Sequence, residues 1–166
     1  NGPTATAAQL DVLDNKTSVA VKVDATQVTG TFTELNKVYV TNKANFANLG
    51  NENIEITAGA TAEQINTIAN LTTGKVTATI SGTAADLVAT LKNSASSDEL
   101  ILTVDNTATA KASDLITLDG KTSEDITVSA TAVTGTYAEL TKVYVTNENN
   151  FAALGDENIT ITDKTV

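Results

Sequence analysis

The chain contains no cysteine, methionine, tryptophan, histidine or arginine, and all 10 of its cations are lysines. Each absence removes a class of chemistry. Without His and Cys, the commonest acid–base, nucleophilic and transition-metal sites are out of reach. Without Arg there is no bidentate clamp for phosphate or carboxylate. Zero Cys means no disulfide, and that leaves the compartment open. Aromatic residues make up only 4% of the chain. No apolar run approaches the roughly 20 residues of a membrane span, so membrane insertion is not expected. No leader segment is visible, so the sequence reads as a mature form or an excised piece. Asn1-Gly2-Pro3 reads as a processed end or a cloning remnant.

What is present is acidic and rich in threonine. Twenty Asp and Glu against ten Lys give a formal net charge of -10. That charge argues against nucleic acid and anionic membranes as partners. It suits a soluble, self-repelling surface, or one that collects Ca²⁺. The 166 residues fit one domain or one slice of a solenoid. The hydrophobic fraction of 41% is enough for a core of Val, Ile, Leu and Ala. Threonine is about a fifth of the chain, well above ordinary usage.

One stretch organises the rest. Gly30-Thr31-Phe32-Thr33-Glu34-Leu35-Asn36-Lys37-Val38-Tyr39-Val40-Thr41-Asn42 returns almost letter for letter from Gly135 to Asn147. Thr31 followed three residues later by Glu34 is a capping box, the mark of a strand giving way to a helix. Leu35, Val38 and Tyr39 then form an apolar stripe at helical spacing. Thr-x-x-(Glu/Gln/Asp)-(Leu/Ile) begins at Thr6, Thr31, Thr61, Thr83 and Thr136. A damaged copy has Lys111 in the cap position, where Thr109 or Ser113 could substitute. The spacing averages roughly 26 residues, inside the range of stacked-repeat units.

Between the caps, apolar residues alternate with polar ones. The alternation predicts strands around Val19–Val23, Ile54–Ile56, Val76–Ile80, Leu100–Val104, Ile126–Ala130 and Ile159–Ile161. Asn93 to Asp98 is polar and reads as a turn. Leu10 and Leu13 share a face of the first helix, and Asn15 and its counterpart Gly120 are expected as left-handed helix ends. Phe46 and Leu49 suggest a second short helical turn ended by Gly50.

A longer period lies over the short one. Segment 17–57 matches segment 122–162 at roughly two-thirds of about 41 positions, the level of a recent tandem duplication. We expect residues 1–166 to form a single repeat array, part of a longer one. Its large copies are 9–62 and 114–166, with intervening units at 63–113. The expected fold is a right-handed α/β solenoid of about six short strand–helix units with a parallel sheet. The alternative is an all-β repeat array, either a sandwich or a β-solenoid.

Candidate chemistry is sparse. Lys22, Glu55, Thr77, Thr79, Thr103, Thr127 and Thr160 would line the open strand face. There a threonine ladder could meet polysaccharide or order water as ice-binding solenoids do, although Thr also suits any solvated strand. Asp156, Glu157 and Asn158 are the nearest approach to a Ca²⁺ loop, against the reading of a solvated turn. Glu34 and Glu139 are explained as cap residues. Tyr39 and Tyr144 read as core packing with the hydroxyl at the edge. Asn15, Asn70 and Asn158 open glycosylation triplets. No catalytic residue and no cofactor is assigned beyond that calcium candidate. A carboxylate-pair glycosidase would need two paired acids, and none stand out.

Several segments resemble the repeats of very large bacterial surface proteins, in particular the long Thr/Ala/Asp-rich repeat proteins of marine cyanobacteria. These are Asp114–Thr122, Val133–Leu140, Leu154–Asn158 and Ser81–Leu87. The resemblance implies a secreted or cell-surface structural role, as adhesin stalk, surface layer or extracellular filament. It supplies no catalytic residue. Uncapped ends, with a strand edge at Ile159–Thr162, make the chain itself or neighbouring repeats the expected partners.

Overall fold

A computed structural model describes residues 3–105 and 109–163. Asn1 and Gly2, read above as part of a processed end, lie outside the described residues. The order is β1 (Thr4–Thr6), α1 (Ala7–Asp14), β2 (Val21–Lys22), β3 (Gln27–Gly30), α2 (Phe32–Asn36), β4 (Phe46–Ala47), β5 (Asn53–Ile56), α3 (Ala62–Ala69) and β6 (Val76–Gly82). There follow α4 (Ala84–Thr90), β7 (Glu99–Val104), β8 (Thr109–Lys111), α5 (Ala112–Asp119), β9 (Ile126–Val128), β10 (Ala132–Gly135), α6 (Tyr137–Thr141), β11 (Phe151–Ala152) and β12 (Asn158–Ile161).

The protein is mixed α/β. Seven strands are hydrogen-bonded in the order β1-β3-β5-β6-β7-β9-β11, an open sheet. Smaller sheets run β12-β10-β8 and β2-β4. The pairings described here are parallel. The expected parallel α/β class holds. The all-β alternative fails, because the Ala-rich, Thr-capped segments after Thr61 and Thr83 are helices.

The chain divides into two compact units, Asn1–Thr79 and Ile80–Val166. In the first, Ala5, Val28, Ile54 and Val76 stand side by side along the ladder, stepping by 23, 26 and 22 residues. Val28, Ile54 and Val76 are buried beneath the helices that carry Ala7, Leu10, Leu35, Ile65 and Ile68. In the second unit Ala110, Val133 and Ile159 are the same positions 105 residues on, on β8, β10 and β12. Its core is Leu100, Leu102, Leu115, Leu118, Ile126 and Val143, all without exposed surface.

The joints are built as expected. Thr6, Thr31, Thr61 and Thr136 each cap a helix, with a reciprocal bond from the side chain three residues on. Thr83 accepts from the Asp86 N–H. At the damaged joint Lys111 is the cap residue and makes no side-chain cap bond, so neither Thr109 nor Ser113 has taken over. Gly30 and Gly135 precede their caps for a steric reason. A Cβ on Gly30 would stand 3.1 Å from Ala7 Cβ, and one on Gly135 2.8 Å from Ala112 Cβ. The missing side chain lets the preceding helix lie on the strand.

Other expectations are corrected. The strand placed at Val19–Val23 shrinks to Val21–Lys22, with Val19 exposed. The core strands there are β3 and, in the second unit, β10, each with one fully buried Val in a polar stretch, too little alternation to be noticed. Asn15 and Gly120 end their helices in right-handed or bridge conformations (φ -70° and -76°), not left-handed ones. Left-handed backbone occurs instead at Asn48, Gly50, Ala153 and Gly155, in the turns before β5 and β12. Phe46 lies in β4, after a 3-10 turn at Lys43–Asn45. The helix after Thr31 is five residues long and passes into a π-helical turn, Lys37–Thr41. That turn keeps Val38 and Tyr39 both inward, and Lys142–Thr146 repeats it. Leu10 is buried but Leu13 is exposed, whereas its counterpart Leu118 is buried.

Ala153 holds φ 62° where the first copy has Asn48 at φ 68°. Left-handed backbone is unfavourable for Ala and tolerated by Asn and Gly. Ala153→Gly is therefore expected to stabilise the chain by about 1 kcal/mol. In thermal unfolding this reads as a rise of about 2–4 °C. An unchanged or lowered midpoint would contradict the reading.

Candidate functional site

The side chains that both copies keep and bring together lie at the turn between β4 and β5, repeated between β11 and β12. Tyr39 leaves the π-helical turn pointing inward, and its hydroxyl donates to Glu52 Oε2 at 3.0 Å. Gly50, in left-handed backbone, aims its N–H at the same oxygen at 2.9 Å. Glu52 is only 1% exposed, and its Oε1 has no hydrogen-bond partner. The connection from α3 to β6 closes over this turn. Thr73 N–H donates to Gly50 O at 2.9 Å. Thr72 Oγ1 donates to the Glu52 carbonyl, and Gly74 lies so close that a Cβ there would collide with it.

The second copy repeats the arrangement in a more open form. Tyr144 OH donates to Glu157 Oε2 at 3.2 Å, and Gly155 N–H donates to it at 2.9 Å. Glu157 Oε1 also lacks a partner. Tyr144 and Glu157 are only partly buried. In both copies burial first, then the neighbouring carboxylate, pushes the phenol pKa well above its ordinary value. A phenol held back from ionisation is a poor proton donor to a substrate. Its carboxylate partner has one oxygen committed to two donors. The pair is built as an internal tie.

A second duplicated cluster pins the same segment from below. Asn42 and Asn45 amides both donate to Asp14 Oδ2 at 3.1 Å. Asn147 and Asn150 repeat this on Asp119, at 2.7 and 2.8 Å. Sequence reasoning read Tyr39 and Tyr144 as core packing and Glu157 as a calcium candidate, and did not pair tyrosine with glutamate. Their equal separation of 13 residues in both copies was the available signal.

Of the calcium candidates, Glu157 is engaged as described, while Asp156 and Asn158 are exposed. Among the described residues no group of three or more acidic side chains could hold a metal ion. The threonines of the strand face are distributed. Thr77 is half-buried and Thr79 exposed on β6. In the ladder of the first unit, Glu55 stands between Thr29 and Thr77, and its carboxylate accepts from Gln27 Nε2 at 3.1 Å. Thr103 and Thr127 are direct neighbours on β7 and β9. Thr160 belongs to the three-stranded sheet, beside Thr134. Lys22 is exposed and paired with Asp24 at 2.9 Å.

No protein-family model, curated protein or solved structure matches the chain. Among the described residues no helix is long and apolar enough to cross a membrane.

Two outcomes follow from the tyrosine ties. Tyr39→Phe strips one of two donors from a buried carboxylate and is expected to cost about 1–3 kcal/mol in chemical denaturation. Tyr144→Phe, in the open copy, is expected to cost less than half as much. Equal costs would mean that the closing segment 72–74 does not matter. For pH, the phenol values are raised in the fold above an unfolded value of about 10. The unfolded chain then loses these protons first. The stabilisation is full below about pH 10 and declines as pH rises beyond it. A wild-type stability profile steeper above about pH 10 than that of Tyr39→Phe checks this.

Proposed function

We propose that this chain is a structural repeat module of an extracellular bacterial surface protein, filament, surface layer or adhesin stalk. It acts by self-association and rigid spacing, not by catalysis. The observation that carries this reading is the duplication of ties. The Tyr–Glu pair, the Asp–Asn cluster and the Gly–Thr joint recur 105 residues apart, and each ties parts of the fold together, with Glu52 Oε1 and Glu157 Oε1 left without a partner. The finer architecture we propose is a right-handed α/β solenoid of about six strand–helix units. Among the described residues five of the six α-helices follow directly on a strand or one residue after it, and the ladders described are parallel. The resemblance to repeats of very large bacterial surface proteins, with the acidic, Thr-rich composition, supports an extracellular location.

A second reading is a glycan- or ice-binding module. It draws on the adjacent Thr103 and Thr127 on the parallel ladder. Thr103→Lys with Thr127→Lys would abolish such binding without unfolding the chain. Calcium at Asp156, Glu157 and Asn158 is tested by a chelator. Unchanged thermal stability and unchanged association would remove it.

The structural reading predicts association that grows with protein concentration in sedimentation equilibrium and light scattering. A species that stays monomeric at millimolar concentration would count against it.

A further inference from the structure

We propose that the strand–helix face at β1 and α1 and the face at β12 and α6 are the two halves of one contact between copies of this chain. The proposal rests on the reading of the chain as a self-associating repeat and names the surfaces that carry it. The internal duplication supplies the argument, because helix α1 and strand β12 each have a covered counterpart, α5 and β5, while β1 and its counterpart β8 both stand at sheet edges among the described residues.

On the first face, Leu13 of α1 is 53% exposed, while its counterpart Leu118 on α5 is 0% exposed. The difference is a neighbour. Helix α4 packs on α5, and Lys121 Nζ donates to the carbonyls of Lys92 and Ser94 in the segment that follows α4. Helix α1 is the first helix of the described residues. The groove it leaves beside β1 holds about 520 Å³ and is lined mainly by the apolar groups of Ala5, Ala8, Leu10, Val12 and Leu13.

On the second face, Ile159 and Ile161 of β12 are 52% and 55% exposed, while Ile54 and Ile56 of β5 are 1% and 6% exposed. Here too the covering element is visible in the first copy, where β6 pairs with β5 along Ile54–Val76 and Glu55–Thr77. Strand β12 pairs with β10, and among the described residues no strand lies on its other edge. Tyr137, on α6, extends this patch with 67% exposure.

A second copy fits both requirements at once. Strand β1 has the same rung positions as the strands of its own ladder, Ala5 beside Val28 beside Ile54. Ile159 holds the Ile54 position next to Val133 in the second unit. Extending either ladder by one parallel rung sets Ala5 of one copy beside Ile159 of the other. Ile159 and Ile161 then enter the groove along α1, and the unpaired main-chain edges of β1 and β12 bond to each other. The two faces differ, so the contact is heterologous and leaves a free face at each end of any open assembly. With a net charge of -10 on each copy the association opposes repulsion, and added salt strengthens it.

The test uses Leu13→Lys and Ile159→Lys, each at an already exposed position, with circular dichroism to verify folding. In sedimentation equilibrium each variant alone is expected to associate at least tenfold more weakly than wild type. An equimolar mixture is expected to form one-to-one dimers and stop there, because each variant keeps the face the other has lost. Ala5→Cys mixed with Ile159→Cys, in a chain with no native cysteine, is expected to give a disulfide-linked heterodimer on mild oxidation. Wild-type association that neither lysine variant weakens overturns the assignment of the faces and leaves the self-associating reading standing. A wild-type chain that stays monomeric overturns both and leaves the faces to a different partner.

Discussion

The structure depends on each strand–helix unit lending its apolar surface to the next. Helices of five to eight residues cannot persist on their own hydrogen bonds, since nucleation is costly and short helices are marginal in water. They persist here because Leu35, Ile65 and Leu115 are pressed against strands and against neighbouring helices until no surface remains. Burial of a leucine or isoleucine contributes about 1.5–3 kcal/mol. A unit with two or three such residues gains its stability only when a neighbour covers them. The exposed Leu13 and Ile159 mark where that lending has no taker within the described residues.

Close stacking needs a joint that brings helix and strand together, and the Gly–Thr–x–x–Glu motif provides it. Gly30 has no Cβ where Ala7 and the Glu34 carboxylate crowd in. Glu34 Oε2 accepts from Thr31 N at 2.8 Å and from Thr31 Oγ1 at 3.0 Å, so one carboxylate closes the turn and satisfies the first backbone donor. A larger residue than Gly or Ala at either contact would lift the helix from the sheet. Glu34 and Glu139, persistent acids in a chain with few other repeated charges, are thereby accounted for as part of the scaffold.

Much of this was legible in the sequence because the joint is local. A cap is four residues long, and its signal does not depend on what packs around it. The strands with regular alternation, β6 and β7, were legible for the same reason. Strands β3 and β10 were not, because each carries one buried valine between polar neighbours, and only pairing with adjacent strands defines it. The helix ends at Asn15 and Gly120 misled because those residue types permit left-handed backbone without requiring it. The Tyr39–Glu52 tie was half legible. Both residues recur, but their meeting depends on a π-helical turn that no residue pattern announces.

The two copies also act as an experiment already performed on the chain. Asn48 has become Ala153 and Asn51 has become Asp156, at exposed positions of the turn. Lys37 is paired with Asp11 at 2.8 Å, yet the corresponding pair in the second copy is Lys142 and Ile116. A partly exposed ion pair contributes little, so its loss is tolerated. Tyr39, Gly50, Glu52, Asp14, Asn42 and Asn45 all recur unchanged as Tyr144, Gly155, Glu157, Asp119, Asn147 and Asn150. The kept residues named here all bond inside the fold, although such a bond does not by itself preserve a residue, since Gln27 and Glu55 correspond to Ala132 and Thr160. A buried donor or acceptor left alone costs about 1–3 kcal/mol, and a solvated one costs almost nothing. The side chains kept here bond within the fold, with Glu52 Oε1 and Glu157 Oε1 as the oxygens left over, and this supports the proposal that the duplication repeats a building block.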